Sequence, residues 1–438
     1  MCLHPSLAGR TIQGAKLRTF AHPTKYFPYF LPFSESFMLI IGKKCRYLHY
    51  GSRPEPIPYD SRRIRGCHLP SFASMSNKGN HIPNDITNND ENNDEKTVYP
   101  CGLDACRGNN ASAKAPRRHA IGFYNLENLF DYTHDEGKKD EDFLPTGRYQ
   151  WNQTKYEWKL RNLSRVLSEM GTEVLPKQGC AVIGVAEVEN DHCMSDLVAQ
   201  EPLKKRGYRY VHIEGPDHRG IDCALIYNPK LFKVDDAKLL PYIYDLPADS
   251  LRATRGFLAV TGTLAKDRVT VIVCHWPSRG AGSYYRELAA KQVKAIKDSI
   301  LHHDAERKVI VMGDMNDDPT NRSMHDVLLA KGEIEVVGTD GMYNPWYNVL
   351  VKEQTGTLRF RGAWNLFDQI VLTPNLVAQP SNKSLKGLHY LSHEVFRRDY
   401  LLQTEGKWEG YPKRTKAGGV WINGYSDHLP VVVYLTTK

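Results

Sequence analysis

The chain has no apolar run long enough to cross a membrane as a helix. Its broadest early apolar cluster, 27–42, is broken by Pro28, Pro32, Ser34 and Glu35, which excludes a spanning helix and the uninterrupted core of a secretion signal, so no signal peptide is expected at Met1. Metal-type cysteine spacing is also missing. The nine cysteines are an odd number, and Cys180, Cys223 and Cys274 lie in or beside apolar runs, where a free thiol behaves as a small hydrophobe. No disulfide framework supports the fold, and a reducing, cytoplasmic compartment is favoured, with export open if the true start lies elsewhere. Finally, residues 119–438 lack an excess of either charge, with 41 Lys+Arg against 41 Asp+Glu. A tight, non-specific nucleic-acid binder usually shows a basic footprint on its folded part, so this balance argues against that class.

The net charge of +8 therefore sits entirely in residues 1–118, which hold 17 Lys+Arg against 9 Asp+Glu. Pro, Ser, Arg and Asn interrupt every apolar stretch there, and 84–96 (NDITNNDENNDEK) has nothing to bury. This first part is expected to be a disordered basic and polar extension, dispensable for the rest. A nucleic-acid arm, a membrane arm or a targeting extension are other uses that such a composition permits.

From His119 the pattern becomes that of a packed domain. Strand-length apolar bursts recur at 120–124, 180–185, 208–213, 222–227, 257–261, 269–274, 309–312, 367–372 and 429–434, each bounded by Gly, Pro, Asn or Asp. Two stretches carry helical periodicity. In 155–170, Leu160, Leu163, Val166 and Leu167 share a face; in 285–301, Leu288, Ala289, Val293, Ile296 and Ile300 do. Gly171 closes the first of these helices. Strands outnumber helices, which predicts an α/β protein built as two sheets packed face to face with helices outside.

The chemistry-bearing residues recur where strands end. The buried run 309–312 stops at Gly313 and is followed by Asp314, Asn316, Asp317 and Asp318. Carboxylates on one turn repel each other unless a cation or donors face them, and oxygen ligands suit Mg²⁺, Mn²⁺ or Ca²⁺. Asn125 follows the first strand, Glu187 the second, and His275 the run VTVIVC. Asp368 sits in NLFDQIVL, and 426–428 (SDH) precede the last strand. Each alone has a plain structural reading as a cap or turn residue. Together they converge on one rim of a sheet sandwich.

This set, with GDMN at 313–316, resembles the endonuclease/exonuclease/phosphatase superfamily, the DNase I-like fold, from about His119 to the C-terminus. The likeness extends to a bacterial branch of largely unassigned substrate through DEDFLPTGRYQWNQTKYEWKLRN, 220–227 and 275–279. The resemblance implies a four-layer α/β sandwich of two mixed sheets flanked by helices, with residues 119–438 as the catalytic domain and residues 1–118 outside it. It implies a divalent metal, usually Mg²⁺, held by Glu187 with Asn125 and Asp427. It implies Asp314 and Asn316 as the pair orienting water and a phosphate oxygen, and His428, supported by Asp368, against the scissile phosphate. His275 matches the family's second histidine, and the proton acceptor is either His428 or Asp314.

In-line attack of water on a phosphoester builds charge on equatorial oxygens, so a Lewis acid, cationic donors and a base are required. Arg219 and Arg279 stand beside the motifs as candidate phosphate clamps. The expected protein is a monomeric metal-dependent hydrolase acting on a phosphodiester or phosphomonoester. DNA, RNA, phosphoinositides or other phospholipids, and small phosphoesters are all open as substrates. Trp276, Trp346, Trp364, Tyr343 and Tyr347 fall in loops near the rim and are candidates for stacking on a base or meeting lipid. Two other classes remain: a catalytically silent binding protein on the same fold, and a nucleic-acid-binding module built around the basic extension.

Overall fold

The computed structural model describes residues 116–244, 254–360, 362–378 and 387–437. The expected disordered extension lies outside these residues except for its last three. These belong to the fold: the Arg117 carbonyl accepts from Thr437 N–H at 2.9 Å, and the first strand begins at Arg118. The folded part therefore starts slightly ahead of His119.

The first sheet uses β1 (Arg118–Leu129), β2 (Cys180–Val188), β3 (Arg209–His212) and β4 (Asp222–Tyr227). The second begins with β5 (Phe232–Leu240), β6 (Phe257–Leu264), β7 (Asp267–His275) and β8 (Lys308–Asp314). Short strands β9 (Ala330–Lys331) and β10 (Met342–Tyr343) precede a separate hairpin of β11 (Leu358–Phe360) and β12 (Ala363–Asn365). Then come β13 (Asp368–Leu372), β14 (Leu388–Val395), a second small hairpin of β15 (Lys416–Ala417) and β16 (Val420–Trp421), and β17 (Val431–Thr437). The spatial orders are β14-β17-β1-β2-β4-β3 and β5-β6-β7-β8-β13-β10-β9. Both sheets are mixed, since β1 runs parallel to β2 and β7 to β8 while their other main neighbours are antiparallel.

Alternation along the strands divides the core into three layers of contact. Ile121, Phe123, Val182 and Leu225 of the first sheet meet Val271, Ile310, Met312 and Ile370 of the second. On the far face of the first sheet, Tyr124, Ile183 and Val185 pack on Leu160, Leu163, Val166 and Leu167 of α1 (Gln153–Glu169). On the far face of the second, Ile272, Val309 and Val311 pack on Ala289, Ala290 and Val293 of α4 (Ser283–His303), with α2 (Asp191–Ala199) and α3 (Glu201–Lys204) on the α1 side. The result is helix, sheet, sheet, helix: the four-layer sandwich. Asn152 caps α1 by accepting from Lys155 N–H, and Gly171, at φ +73°, ends it. Each fully buried leucine or valine on α1 contributes about 1.5–3 kcal/mol, so packing rather than propensity holds this helix.

Gly313 fixes how closely β7 and β8 approach. A Cβ there would lie 2.2 Å from the Cys274 carbonyl oxygen, a backbone atom that cannot step aside. That close pairing sets His275 opposite Asp314 across the parallel ladder.

Candidate active site

Local backbone irregularity aims the side chains at the rim. The β1–β2 ladder shifts register between Asn125 and Leu129, and the β2–β4 ladder between Ala186 and Val188. Within these breaks Glu127, Asn128 and Glu187 sit at φ 51°, 56° and 65°, and Asn316 beyond β8 sits at 50°. Left-handed non-glycine residues cost roughly 1–3 kcal/mol each and persist only where surrounding structure holds them. A bulge also rotates a side chain off its alternating face. Glu187 is thus turned outward, and its Oε2 accepts the Asn128 N–H at 2.9 Å.

Four carboxylates, two histidines and two carboxamides meet there. Asn125 donates through Nδ2 to Asp314 Oδ2 at 3.0 Å and Glu187 Oε1 at 3.3 Å, while its Oδ1 accepts from Glu127 N–H. His275 Nε2 lies 3.7 Å from both Glu187 Oε1 and Asp314 Oδ2. His428 Nδ1 is 2.7 Å from Asp368 Oδ2, and its Nε2 faces Asp314 Oδ2 and Asp427 Oδ1, each at 3.9 Å. Asn316 donates through Nδ2 to the Trp276 carbonyl at 3.0 Å. Ser426 Oγ donates to the Asn125 carbonyl and accepts from His428 N–H, which ties the SDH segment to β1.

The electrostatics divide these groups. Burial would lower the His428 pKa, but the Asp368 carboxylate and its hydrogen bond, with Asp314 and Asp427, outweigh it and hold the imidazole well above its ordinary value. His275 goes the other way: burial, then the Arg255 and Arg219 charges, keep it neutral. Burial pushes Asp314 up to about 7, with Asp368 and Glu187 adding to the rise and His428 opposing it. A buried carboxyl raised in this way beside other carboxylates is a place where a cation would relieve the repulsion and favour the charged form. Glu187, His275 and Asp314 offer ligand atoms within 4.8 Å of one another. This donor set fits a hard or borderline divalent ion.

Not every candidate reaches the same point. Asp427 is drawn toward Arg414, whose Nη2 donates to Asp427 Oδ2 at 2.9 Å and whose Nε donates to buried Glu127 at 3.0 Å. Arg219 lines the cleft beside Glu187, His275, Asp314, Asn316 and His428. Arg279 is turned to the next loop, donating to the Asn316 carbonyl, Asn365, Asp318 and Asn321. Trp276 and Trp346 are 1% and 0% exposed. They pack in the interior, and Trp346 donates to the Ile370 carbonyl, so neither can stack on a substrate. Tyr343 is likewise buried, whereas Tyr347 and Trp364 are half-buried.

Sequence reasoning missed Arg255 and Asp217. Buried Arg255 donates to Asp217 at 3.1 Å and to the Trp276 carbonyl at 3.0 Å, so one cation braces both walls of the cleft. It also missed Lys159, a fully buried ammonium on α1 that donates to Tyr425 O at 2.7 Å and to Thr415 Oγ1. Both links span loops far apart in sequence, and no local pattern signals them.

A family model described as the Endonuclease/Exonuclease/phosphatase family matches residues 120–437. No curated protein matches the chain. Among solved structures, an endonuclease/exonuclease/phosphatase family protein from Bacteroides thetaiotaomicron is 16% identical, over 74% of this chain and 99% of that one, with a TM-score of 0.44. A mannosyl-6-phosphatase from the same organism is 16% identical over 72% and 99%, with a TM-score of 0.44. The human Nocturnin catalytic domain with bound sulfate is 17% identical over 73% and 95%, with a TM-score of 0.42.

Proposed function

Given that the chain belongs to the endonuclease/exonuclease/phosphatase family, whose members hydrolyse phosphoester bonds, we propose that it is a divalent-cation-dependent phosphoesterase in which water attacks phosphorus in line. The observation that carries this reading is the His428–Asp368 pair at 2.7 Å, with His428 Nε2 pointing toward Asp314 and the Glu187 cluster. Glu187 would hold the cation, with Asp314 and His275 beside it. When bound, it supplies Lewis-acid polarisation of a phosphoryl oxygen.

The remaining work belongs to the side chains. Asp368 accepts the Nδ1 proton of His428, fixes the ring and supports its charge, as a carboxylate does for histidine in other hydrolases. His428, held protonated, donates from Nε2 to a phosphoryl oxygen as charge builds there. A protonated imidazole cannot act as a base. With a cation beside it Asp314 is a carboxylate, and it is the group that takes the proton of the attacking water, with Asn316 orienting that water from the cleft lining. Arg219 adds a cation to the cleft wall. Residues 119–438, together with the two or three residues preceding them, form the catalytic domain.

The test is hydrolysis by the full chain with Mg²⁺ or Mn²⁺ across plasmid DNA, a small phosphodiester reporter and a phosphoinositide. Turnover of at least one, abolished by His428→Ala, is expected. Inertness toward all three would favour the catalytically silent binding protein instead.

A further inference from the structure

The charge balance of the folded part hides a local asymmetry. Segments 355–360, 362–365 and 396–417 together hold seven Lys+Arg against three Asp+Glu (Asp399, Glu405 and Glu409). The fold brings these segments together on one flank of the active-site rim. Leu429 N–H donates to the Thr357 carbonyl at 2.7 Å, which seats the β11–β12 hairpin beside His428, and Arg414 reaches Asp427 at 2.9 Å.

Along this flank cations and aromatic rings alternate in contact. Arg397 lies 5.2 Å from the centre of the Trp364 ring, and Arg359 lies 5.4 Å from Trp364 and 4.3 Å from Tyr411. Tyr411 is 5.2 Å from Trp408, and Lys407 is 5.0 Å from Trp408. Trp408 is 51% exposed, so part of its ring surface is open to solvent. Among the described residues, Arg359, Arg397 and Lys407 have no carboxylate within ion-pair distance, although most other arginines of the domain are paired. Three cations without an ion-pair partner in one patch repel each other, and a polyanion is what removes that repulsion.

We infer that this flank is a docking wall for a single-stranded polynucleotide, whose backbone follows the cations and whose bases stack on Trp408 and its neighbouring rings. This rests on the hydrolase reading only for what happens next: a strand on the wall presents a phosphodiester to the rim. Single strands fit better than duplex because stacking needs unpaired base faces, whereas a duplex offers only phosphates. A lipid surface fits less well, because the rings lie against guanidinium and ammonium groups instead of forming a continuous apolar projection.

The experiment measures binding and chemistry separately. Affinity of the full chain for a labelled twelve-residue oligothymidylate is measured in chelator, where the cation-dependent reaction is off, as a function of salt. Hydrolysis of bis-p-nitrophenyl phosphate is measured with Mn²⁺. Arg397, Lys407 and Trp408 are exposed, so their replacement leaves packing intact. Trp408→Ala should weaken binding roughly tenfold, within the range for loss of one base stack. The Arg397→Ala, Lys407→Ala pair should weaken it as well and flatten the salt slope by about 1–1.5, since each phosphate contact on a single strand contributes about 0.7. Neither should change turnover of the small diester. Unchanged oligonucleotide binding in both variants while the small diester is still cleaved would overturn the wall and leave the active site standing. Weakened binding in a protein that cleaves no diester would support the wall and count against the active site. Loss of binding to phosphatidylserine vesicles, with oligothymidylate binding intact, would reassign the wall to membranes and overturn the inference.

Discussion

Replacing His428 or Asp368 bears hardest on the proposed chemistry, because the two form one buried unit: Asp368 is 0% exposed and His428 7%. If His428 acts on the phosphoryl group, His428→Ala should lower kcat by ~10²–10⁴, the range of a positioned acid–base group, which is about 2.7–5.4 kcal/mol of barrier. Asp368→Asn keeps an oxygen to accept the Nδ1 proton but withdraws the charge that holds the imidazole above its ordinary pKa. It should therefore reproduce much of the loss. The carboxamide also places an NH₂ where Asp368 Oδ1 now has no partner, and an unpaired buried donor costs roughly 1–3 kcal/mol of stability. Rates must accordingly be normalised to folded protein by active-state titration or circular dichroism. The double variant should be little slower than His428→Ala alone, because groups acting as a unit are non-additive. Losses that multiply fully would refute the pair. A histidine variant that is less stable but fully active per folded molecule would refute the catalytic role itself.

Three further outcomes follow from the same structure. The raised His428 pKa contributes stability that is complete below about pH 6.5, the unfolded value, and fades as pH rises through the higher folded value; denaturant titrations should show the advantage of wild type over Asp368→Asn shrinking across that window, and a growing advantage would mean the sign is wrong. Removing residues 1–115 should leave cooperative unfolding and hydrolysis of a small diester unchanged, whereas cutting at 119 should lower the melting temperature because Arg117 and Arg118 pair with β17. Gly313→Ala should destabilise by about 3 kcal/mol or more in urea titrations, because the added Cβ meets a backbone carbonyl and not a movable side chain; near-wild-type stability would show that β7 and β8 can separate without cost.

The strands that matter to the site were legible because they are central and buried, so their apolar runs stand out between turn residues, and their polar ends could be read as one rim. Besides the six strands of two or three residues, two longer strands were not. β5 (FKVDDAKLL) and β14 (LHYLSHEV) are edge strands, where charged and polar residues alternate outward and blur the apolar signal. Helix limits were clear for α1 and α4, since both bury one face against a sheet. Trp276 and Trp346 looked like rim aromatics because both read as loop residues near the rim, but their burial depends on how distant segments fold back, which no local spacing encodes. The same holds for Arg255 with Asp217 and for Arg414 with Glu127, the latter pair 287 residues apart.

The central claim, that Glu187 and its neighbours hold a divalent cation on which phosphoester cleavage depends, is tested most directly by following hydrolysis of a small phosphodiester through chelation and re-addition of metal, with Glu187→Gln alongside. An amide keeps the shape of the carboxylate and removes its charge, and hard cations are held by charge and oxygen count. Wild type should lose activity in excess chelator and regain it with Mg²⁺ or Mn²⁺, while Glu187→Gln should be slow throughout and need higher metal for what activity remains. Full wild-type activity in excess chelator, or a Glu187→Gln enzyme with unaltered metal dependence, would contradict the account.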